Sequence, residues 1–152
     1  MADPGFEHYV TTVDELFRCG DAHCHEKHEE ASNVRLIQEV ALAIGRGDLE
    51  AVGALLTDDM HLEIQAPAQF PFIRSATGRE AVLDALRHNF AAVRNQQPSI
   101  EAVVAQGDTV VVVATEEGEL GDAGGRYKVS GMHRYVCKGG KIAMLQEKFG
   151  DV

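Results

Sequence analysis

Hydrophobic residues along the chain follow two different periods, and each period predicts one kind of secondary structure. From residue 32 onward they recur at intervals of three and four, the spacing of one helical face. Between 60 and 65, and again after about residue 98, hydrophobic and polar residues alternate, as they do in strands with one buried face. The predicted order of elements is helix, helix, strand, loop, helix and four strands.

Three helices are expected, and capping patterns mark where they begin. The first starts near Ser32 and ends at a glycine-rich segment. Asp48 suits the N-cap of a second, short helix. Thr77 and Glu80 form a capping box at the start of the third. Residues 66–75 contain two prolines and no regular pattern, so we expect a loop or lid with aromatic side chains at its tip.

The strongest local signal is a hairpin near the C-terminus. Two runs of strand-forming residues, 126–137 and 142–149, flank Gly139 and Gly140, which suit a two-residue turn. An uninterrupted register puts six side chains on one face of the sheet: Met132, Arg134, Val136, Leu145, Glu147 and Phe149. The opposite face carries Gly131, His133, Tyr135, Met144, Gln146 and Lys148.

This order of elements predicts an α+β fold in which a curved, mostly antiparallel sheet wraps around the helices. Such a sheet forms a cone, a cystatin-like α+β roll, that is open at one end and commonly holds a small apolar ligand. We assign residues 32–152 to this domain. Residues 1–31 are interpreted as an N-terminal arm with a short helix near Val13 to Arg18.

Composition narrows the choice of partners. The chain has 152 residues, enough for one domain with its own core, and 24 acidic residues against 14 basic ones. This acidic excess disfavours nucleic acids and anionic membrane surfaces. No stretch approaches the roughly 20 apolar residues of a membrane span, and the N-terminus lacks the apolar core of a signal peptide, so a cytoplasmic location is predicted.

Cysteine and histidine cluster in the N-terminal arm, as Cys19, His23, Cys24, His25 and His28. Two pairs lie four residues apart and consist of residue types that zinc favours. The cluster matches no zinc-finger spacing and has glutamates among its members, so a solvated helix is the favoured interpretation. We therefore predict no metal and no cofactor.

The order of elements, together with five short motifs, resembles the nuclear transport factor 2-like superfamily, and within it the ketosteroid isomerase and SnoaL-like branch. The motifs are Gly47-Asp48, Asp58-Asp59, Gly78, Gly140-Lys141-Ile142 and Phe149-Gly150. The resemblance covers about residues 33 to 150 and implies the cone fold and a homodimer packed through the sheets. It does not fix the activity, because this scaffold carries isomerases, cyclases, dehydratases, hydrolases and non-catalytic domains.

The resemblance also shows what this chain lacks. Ketosteroid isomerases use a carboxylate base together with a tyrosine and a protonated aspartic acid that stabilise the enolate. Counting from the shared motifs, these positions hold Ile64, Val40 and Met132, respectively. Steroid isomerisation by that mechanism is therefore not expected.

The candidate catalytic residues are Glu147, as a general base or acid, and Arg134, as a donor to an oxyanion or a substrate carboxylate. The alternative interpretation is a structural ion pair at the wet rim of the cone. A register shift of one residue would replace them with His133 and Tyr135. Candidate ligand-binding residues are Val40, Leu62, Ile64, Phe70, Phe72, Phe90, Met132, Leu145 and Phe149.

The sequence thus predicts binding of a small apolar molecule, with lyase, isomerase or cyclase activity. The alternative is a non-catalytic ligand-binding or dimeric assembly domain whose cavity is filled by its own side chains. An open cavity would favour the first function, and a solid core the second.

Overall fold

Three helices and one six-stranded sheet make up the described part of the computed structural model, residues 24–121 and 125–152. The helices are α1 (Cys24–Gly45), α2 (Leu49–Ala54) and α3 (Arg79–Ala91). The strands are β1 (Leu56–Gln65), β2 (Ser75–Thr77), β3 (Val93–Gln106), β4 (Thr109–Leu120), β5 (Gly125–Lys138) and β6 (Lys141–Asp151). None of the described helices is long and apolar enough to span a membrane.

The strand order is β2-β1-β6-β5-β4-β3, and β1 and β6 are the one parallel pair within the described sheet. The helices pack on one face of this curved, unclosed sheet and contribute to its main core. Ile37, Val52 and Val82, one from each helix, are almost fully buried there against Leu62 and Val110 of the sheet. The predicted α+β cone is therefore confirmed.

Helix α1 begins eight residues before the predicted start at Ser32. Ala31 is fully buried in the main core, so the helix crosses the boundary proposed between arm and domain. The short helix expected near Val13 to Arg18 lies outside the described residues, as do Cys19 and His23 of the cysteine and histidine cluster.

Of the two predicted capping patterns, one forms. Asp48 caps α2, and its side chain accepts a hydrogen bond from the amide of Ala51 at 3.0 Å. The predicted capping box is wrong, because Gly78 occupies the N-cap of α3 without a side-chain hydrogen bond. Thr77 instead ends β2, where its hydroxyl forms a hydrogen bond with His61 Nδ1 at 2.8 Å. The Thr77 hydroxyl therefore bonds to His61 of the neighbouring strand β1 and not to the backbone of α3.

The C-terminal hairpin has the predicted turn but not the predicted register. Gly139 and Gly140 both have positive φ angles, and Lys138 pairs with Lys141 as expected. The register then shifts by one residue, since Cys137 pairs with Ile142 whereas Val136 pairs with Met144. Ala143 is the extra residue of this β-bulge. Cys137 and Ile142 are both buried in the main core, so the odd-numbered residues of β5 face the helices along its length, opposite to the prediction. Beyond the bulge, the odd-numbered residues of β6 lie on that same face, as predicted.

At Gly131, the two strands of the hairpin lie too close together for any side chain larger than that of glycine. Gly131 of β5 pairs with Phe149 of β6, and a Cβ atom on Gly131 would clash with the Lys148 carbonyl oxygen and with Phe149 Cβ. Both neighbours belong to the adjacent strand, so neither can move without distorting the sheet.

We expect Gly131→Ala to lower the free energy of unfolding by about 2 kcal/mol, because the added methyl group overpacks the β5–β6 contact. Gly150→Ala is the matched control, since Gly150 pairs with the neighbouring Ser130 and has open space around its Cβ position. Urea titrations of both variants measure the difference. Equal stability of Gly131→Ala and the wild type would show that this contact is not tight.

Candidate functional site

The helices and the concave face of the sheet enclose an open cavity of about 730 Å³. This volume suits a drug-sized ligand. The cavity is lined by six of the nine residues predicted to bind ligand: Val40, Ile64, Phe72, Phe90, Leu145 and Phe149. Of the other three, Leu62 and Phe70 are buried in hydrophobic clusters, and Met132 is 50% exposed on the outer face.

The loop between β1 and β2 forms a fixed wall of the cavity. Its backbone is held by Arg74, whose guanidinium donates hydrogen bonds to the carbonyl oxygens of Ala66, Pro67 and Phe70 at 2.7 to 3.1 Å. Asn89 of α3 holds the backbone of Ile73 through both its amide and its carbonyl group. These contacts give the loop a defined shape, which the sequence left open as a loop or lid.

Phe72 on this loop is the aromatic side chain that reaches the cavity. It packs at an angle on Phe70, with a centroid distance of 5.1 Å, and Phe70 meets Tyr127 edge-on at 5.0 Å. Phe149 of β6 completes the group. The aromatic cluster therefore joins the loop to the sheet at the side of the cavity.

The polar centre of the cavity is a histidine and glutamate pair on adjacent strands. His133 of β5 lies opposite Glu147 of β6, and His133 Nδ1 is 3.3 Å from Glu147 Oε1. The side chains of His133 and Glu147 are 32% and 18% exposed, and both line the cavity. The inward orientation predicted for Glu147 is what the structure shows, although its catalytic role stays a prediction.

Opposing effects set the charge of His133. Burial lowers the pKa of the imidazole. The charge and the hydrogen bond of Glu147, together with the more distant charge of Glu116, raise the pKa by more than burial lowers it, so it lies above the ordinary 6.5. Tyr135, two residues along β5, also faces the cavity. Burial first, and Glu147 second, raise the pKa of its phenol, which therefore keeps its proton and can donate a hydrogen bond.

The predicted inward orientation of Arg134 and Met132 is wrong. Arg134 is exposed on the outer face, where its guanidinium donates to Gln146 Oε1 at 2.8 Å. Gln146 in turn donates to Glu63, which contacts His61 at 2.9 Å. The bulge at Ala143 is the physical reason, because it turns β5 relative to β6 by one residue.

A second polar group in the cavity was not predicted. Glu116 of β4 lines the cavity and accepts a hydrogen bond from the Tyr127 hydroxyl at 2.7 Å and one from Gln96 at 3.3 Å. The signal was present in the sequence: Val110, Val112 and Ala114 alternate along β4, and the same face continues to Glu116.

Other reactive residue types are placed less favourably for chemistry. Cys137 is a free, buried cysteine, and burial raises the pKa of its thiol to about 11, so it is a weak nucleophile near neutral pH. Within residues 24–121 and 125–152, histidine, cysteine, aspartate and glutamate form no group of three suited to a metal ion. The expected absence of a metal and a cofactor stays a prediction.

A family model described as the SnoaL-like domain matches residues 37–145. No curated protein sequence is significantly similar to the chain. Among solved structures, an NTF2-like protein from Burkholderia xenovorans is 21% identical, with a TM-score of 0.66, and the alignment covers 78% of this chain and 88% of that one.

Two further structures share the fold. A protein from Jannaschia, described as a SnoaL-like polyketide cyclase, is 15% identical with a TM-score of 0.70, over 80% of this chain and 88% of that one. A Mycobacterium tuberculosis protein, solved in complex with estradiol-17beta-hemisuccinate, is 21% identical with a TM-score of 0.62, over 76% of this chain and 92% of that one.

The raised pKa of His133 predicts a pH dependence of stability. A group whose pKa is higher in the folded state stabilises that state fully below its unfolded pKa, near 6.5, and this contribution is lost as pH rises through the folded pKa. We expect the free energy of unfolding to decrease as the pH rises from the unfolded to the folded pKa of His133. In Glu147→Gln this decrease should be smaller, because the carboxylate that raises the pKa is gone. Chemical denaturation at pH values from about 6 to 9 measures it.

Glu117→Gln is the matched control for that experiment. Glu117 lies on the same sheet and pairs with Lys128 at 3.4 Å, away from His133. It should therefore leave the pH dependence unchanged. An unaltered slope in Glu147→Gln would show that the pair does not couple to folding.

Proposed function

Since the chain belongs to the SnoaL-like domain family, we propose that it binds a small apolar molecule in its cavity and moves a proton on that molecule with His133 and Glu147. The reaction class is the one predicted from the sequence, a lyase, isomerase or cyclase. The donor differs, because His133 takes the role first given to Arg134. The observation that carries the proposal is the His133–Glu147 pair facing an open cavity.

The cavity supports the binding part of this proposal. Its walls are mostly hydrophobic side chains, so an apolar molecule would be drawn from water into it. The relatives show that the fold accommodates such molecules, since one was solved in complex with an estradiol derivative. The polar groups inside are few and could fix the orientation of a ligand.

The pair supports the catalytic part. A carboxylate beside an imidazolium can accept a proton from a carbon next to a carbonyl, while the imidazolium donates a hydrogen bond to the carbonyl oxygen. The raised pKa of His133 keeps the ring protonated at higher pH than usual, which suits the donor role. Pairing through Nδ1 leaves Nε2 for the substrate, and Tyr135 supplies a second donor on the same strand.

A non-catalytic binding domain remains the competing function, and one observation favours it: Ile64 and Val40 line the cavity where the resemblance to ketosteroid isomerases implies the base and the tyrosine. The cavity, however, is not filled by its own side chains, as that alternative required. A charged pair inside an apolar cavity also costs several kcal/mol of desolvation unless the geometry is good, which favours a role beyond packing.

We also propose that two copies of the chain pair through the outer face of the sheet. Val104 of β3 and Met132 of β5 are 59% and 50% exposed there. Val111 and Val113 of β4 lie between them on the same face. An exposed apolar surface of this kind is typical of protein interfaces.

Proton abstraction can be measured without the natural substrate. In D₂O, the wild type should catalyse exchange of the α-protons of 2-tetralone, an apolar bicyclic ketone, as followed by proton NMR. Glu147→Gln and His133→Gln should each slow this exchange by roughly 100-fold or more, because each removes one partner of the proton transfer. Thermal unfolding confirms that the variants fold.

Arg134→Gln is the discriminating control for the exchange experiment. Arg134 lies on the outer face, so its loss should change the rate less than twofold. A large loss in Arg134→Gln, or full activity in Glu147→Gln, would contradict the assignment. Binding of the ketone without exchange in the wild type would support the non-catalytic function.

Met132→Glu should convert the dimer into a monomer, because it places a charge in the apolar patch that Met132 forms with Val104, Val111 and Val113. Light scattering coupled to gel filtration measures the mass. Ile73→Glu is the control, since Ile73 is 39% exposed but lies on the loop wall. A monomeric wild type, or a dimer that survives Met132→Glu, would reject the proposed interface.

A further inference from the structure

The cavity has a second polar end at Glu116, farther along β4 than the residue opposite His133, although its charge still contributes to the raised pKa of His133. Val112 of β4 lies opposite His133, and Glu116 follows four residues later on the same face. At about 3.3 Å per residue, the two backbone positions are roughly 13 Å apart along the strand. One ligand of drug size could therefore reach both ends.

The strand next to Glu116 is shaped to hold its carboxylate. Tyr127 of β5 lies across Gly118, where a Cβ atom would come within 2.6 Å of the phenol oxygen. The missing side chain at Gly118 lets the ring reach Glu116 Oε2 at 2.7 Å. Burial, followed by Glu116 itself, raises the pKa of the Tyr127 phenol, so it stays a donor. The carboxylate is thus fixed before any ligand binds.

The opposite side of Glu116 is formed by an irregular stretch of β3. The register between β3 and β4 shifts between Arg94 and Gln97, and Asn95 has a φ angle of 53°, unusual for a residue other than glycine. This bulge directs Gln96 to the cavity, where its amide donates to Glu116 Oε1 at 3.3 Å. Gln96 is itself exposed, so this end of the cavity meets solvent.

The charges lining the cavity determine what can bind there. They come from Arg87, Glu116, His133 and Glu147. Arg87 is paired with Asp84 at 2.8 Å and is 63% exposed, and His133 is paired with Glu147. Of the two carboxylates in this lining, Glu147 is paired with an imidazole, whereas Glu116 accepts hydrogen bonds from two neutral donors, Tyr127 and Gln96. An anionic ligand group would be repelled there, whereas a donor would be held.

We propose that Glu116 anchors a hydrogen-bond-donating group, a protonated amine in preference to a hydroxyl, at one end of an apolar ligand. The other end then lies against His133 and Glu147. This inference rests on the proposed ligand-binding cavity, but not on the proton transfer. It makes Glu116 the residue that determines ligand specificity and orientation.

Three probes of matched shape test the anchor: 4-phenylbutylammonium, 4-phenylbutanol and 4-phenylbutyrate. Isothermal titration calorimetry at low ionic strength should give the tightest binding for the ammonium and the weakest for the carboxylate. In Glu116→Gln, binding of the ammonium should weaken roughly tenfold, because a charge-assisted hydrogen bond is lost. Binding of the carboxylate should become tighter than in the wild type, a gain that a misfolded variant cannot produce.

Glu117→Gln removes the same charge from the next residue of β4, which is exposed and pairs with Lys128, and should leave all three affinities unchanged. If the ratio of the ammonium affinity to the carboxylate affinity is the same in Glu116→Gln as in the wild type, Glu116 does not anchor the ligand and the proposal is overturned. Failure of all three probes to bind would overturn both the ligand cavity and the anchor. The expected order of affinities without exchange of 2-tetralone protons would support the anchor and reject the proton transfer.

Discussion

One extra residue in β6 determines the chemistry of the cavity. Ala143 is the bulged residue of the C-terminal hairpin, and it reverses which side chains of β6 face the helices: Ile142 before the bulge, and Leu145 and Glu147 after it. With the bulge, His133 and Tyr135 face inward beside Glu147. Without it, the alternation that starts at the buried Ile142 would bring Gln146 into the cavity in place of Glu147. The bulge therefore sets both the polar centre of the cavity and the composition of the outer face.

The charge of His133 depends on two opposing effects. Burial favours the neutral imidazole of His133, whereas the neighbouring Glu147 carboxylate favours the charged form. For His133 the attraction outweighs the burial, since the net shift raises its pKa. The surrounding hydrophobic walls strengthen this attraction by keeping water and its screening away. A change in the apolar lining would therefore alter the pKa of His133.

Local signals in the sequence predicted the order of elements, the Gly139–Gly140 turn and the inward position of Glu147. Each of these follows from periodicity or from residues with special backbone angles. The bulge left no such signal, because Ala143 fits a regular strand as well as a bulged one. Thr77 has a local capping pattern, but a hydrogen bond to His61 of another strand replaced it. Glu116 was missed because the alternation along β4 was followed only as far as its hydrophobic residues.

The loop wall shows how a single cation can stabilise an irregular segment. Arg74 satisfies three backbone carbonyl groups that no helix or strand would satisfy. The path of the loop is therefore held at its main-chain atoms by Arg74 and Asn89, and by Phe70, which is buried in the aromatic cluster. Phe72 can then vary in size without loss of the loop's path, which makes this position a natural place for related sequences, or for protein engineering, to change the shape of the cavity.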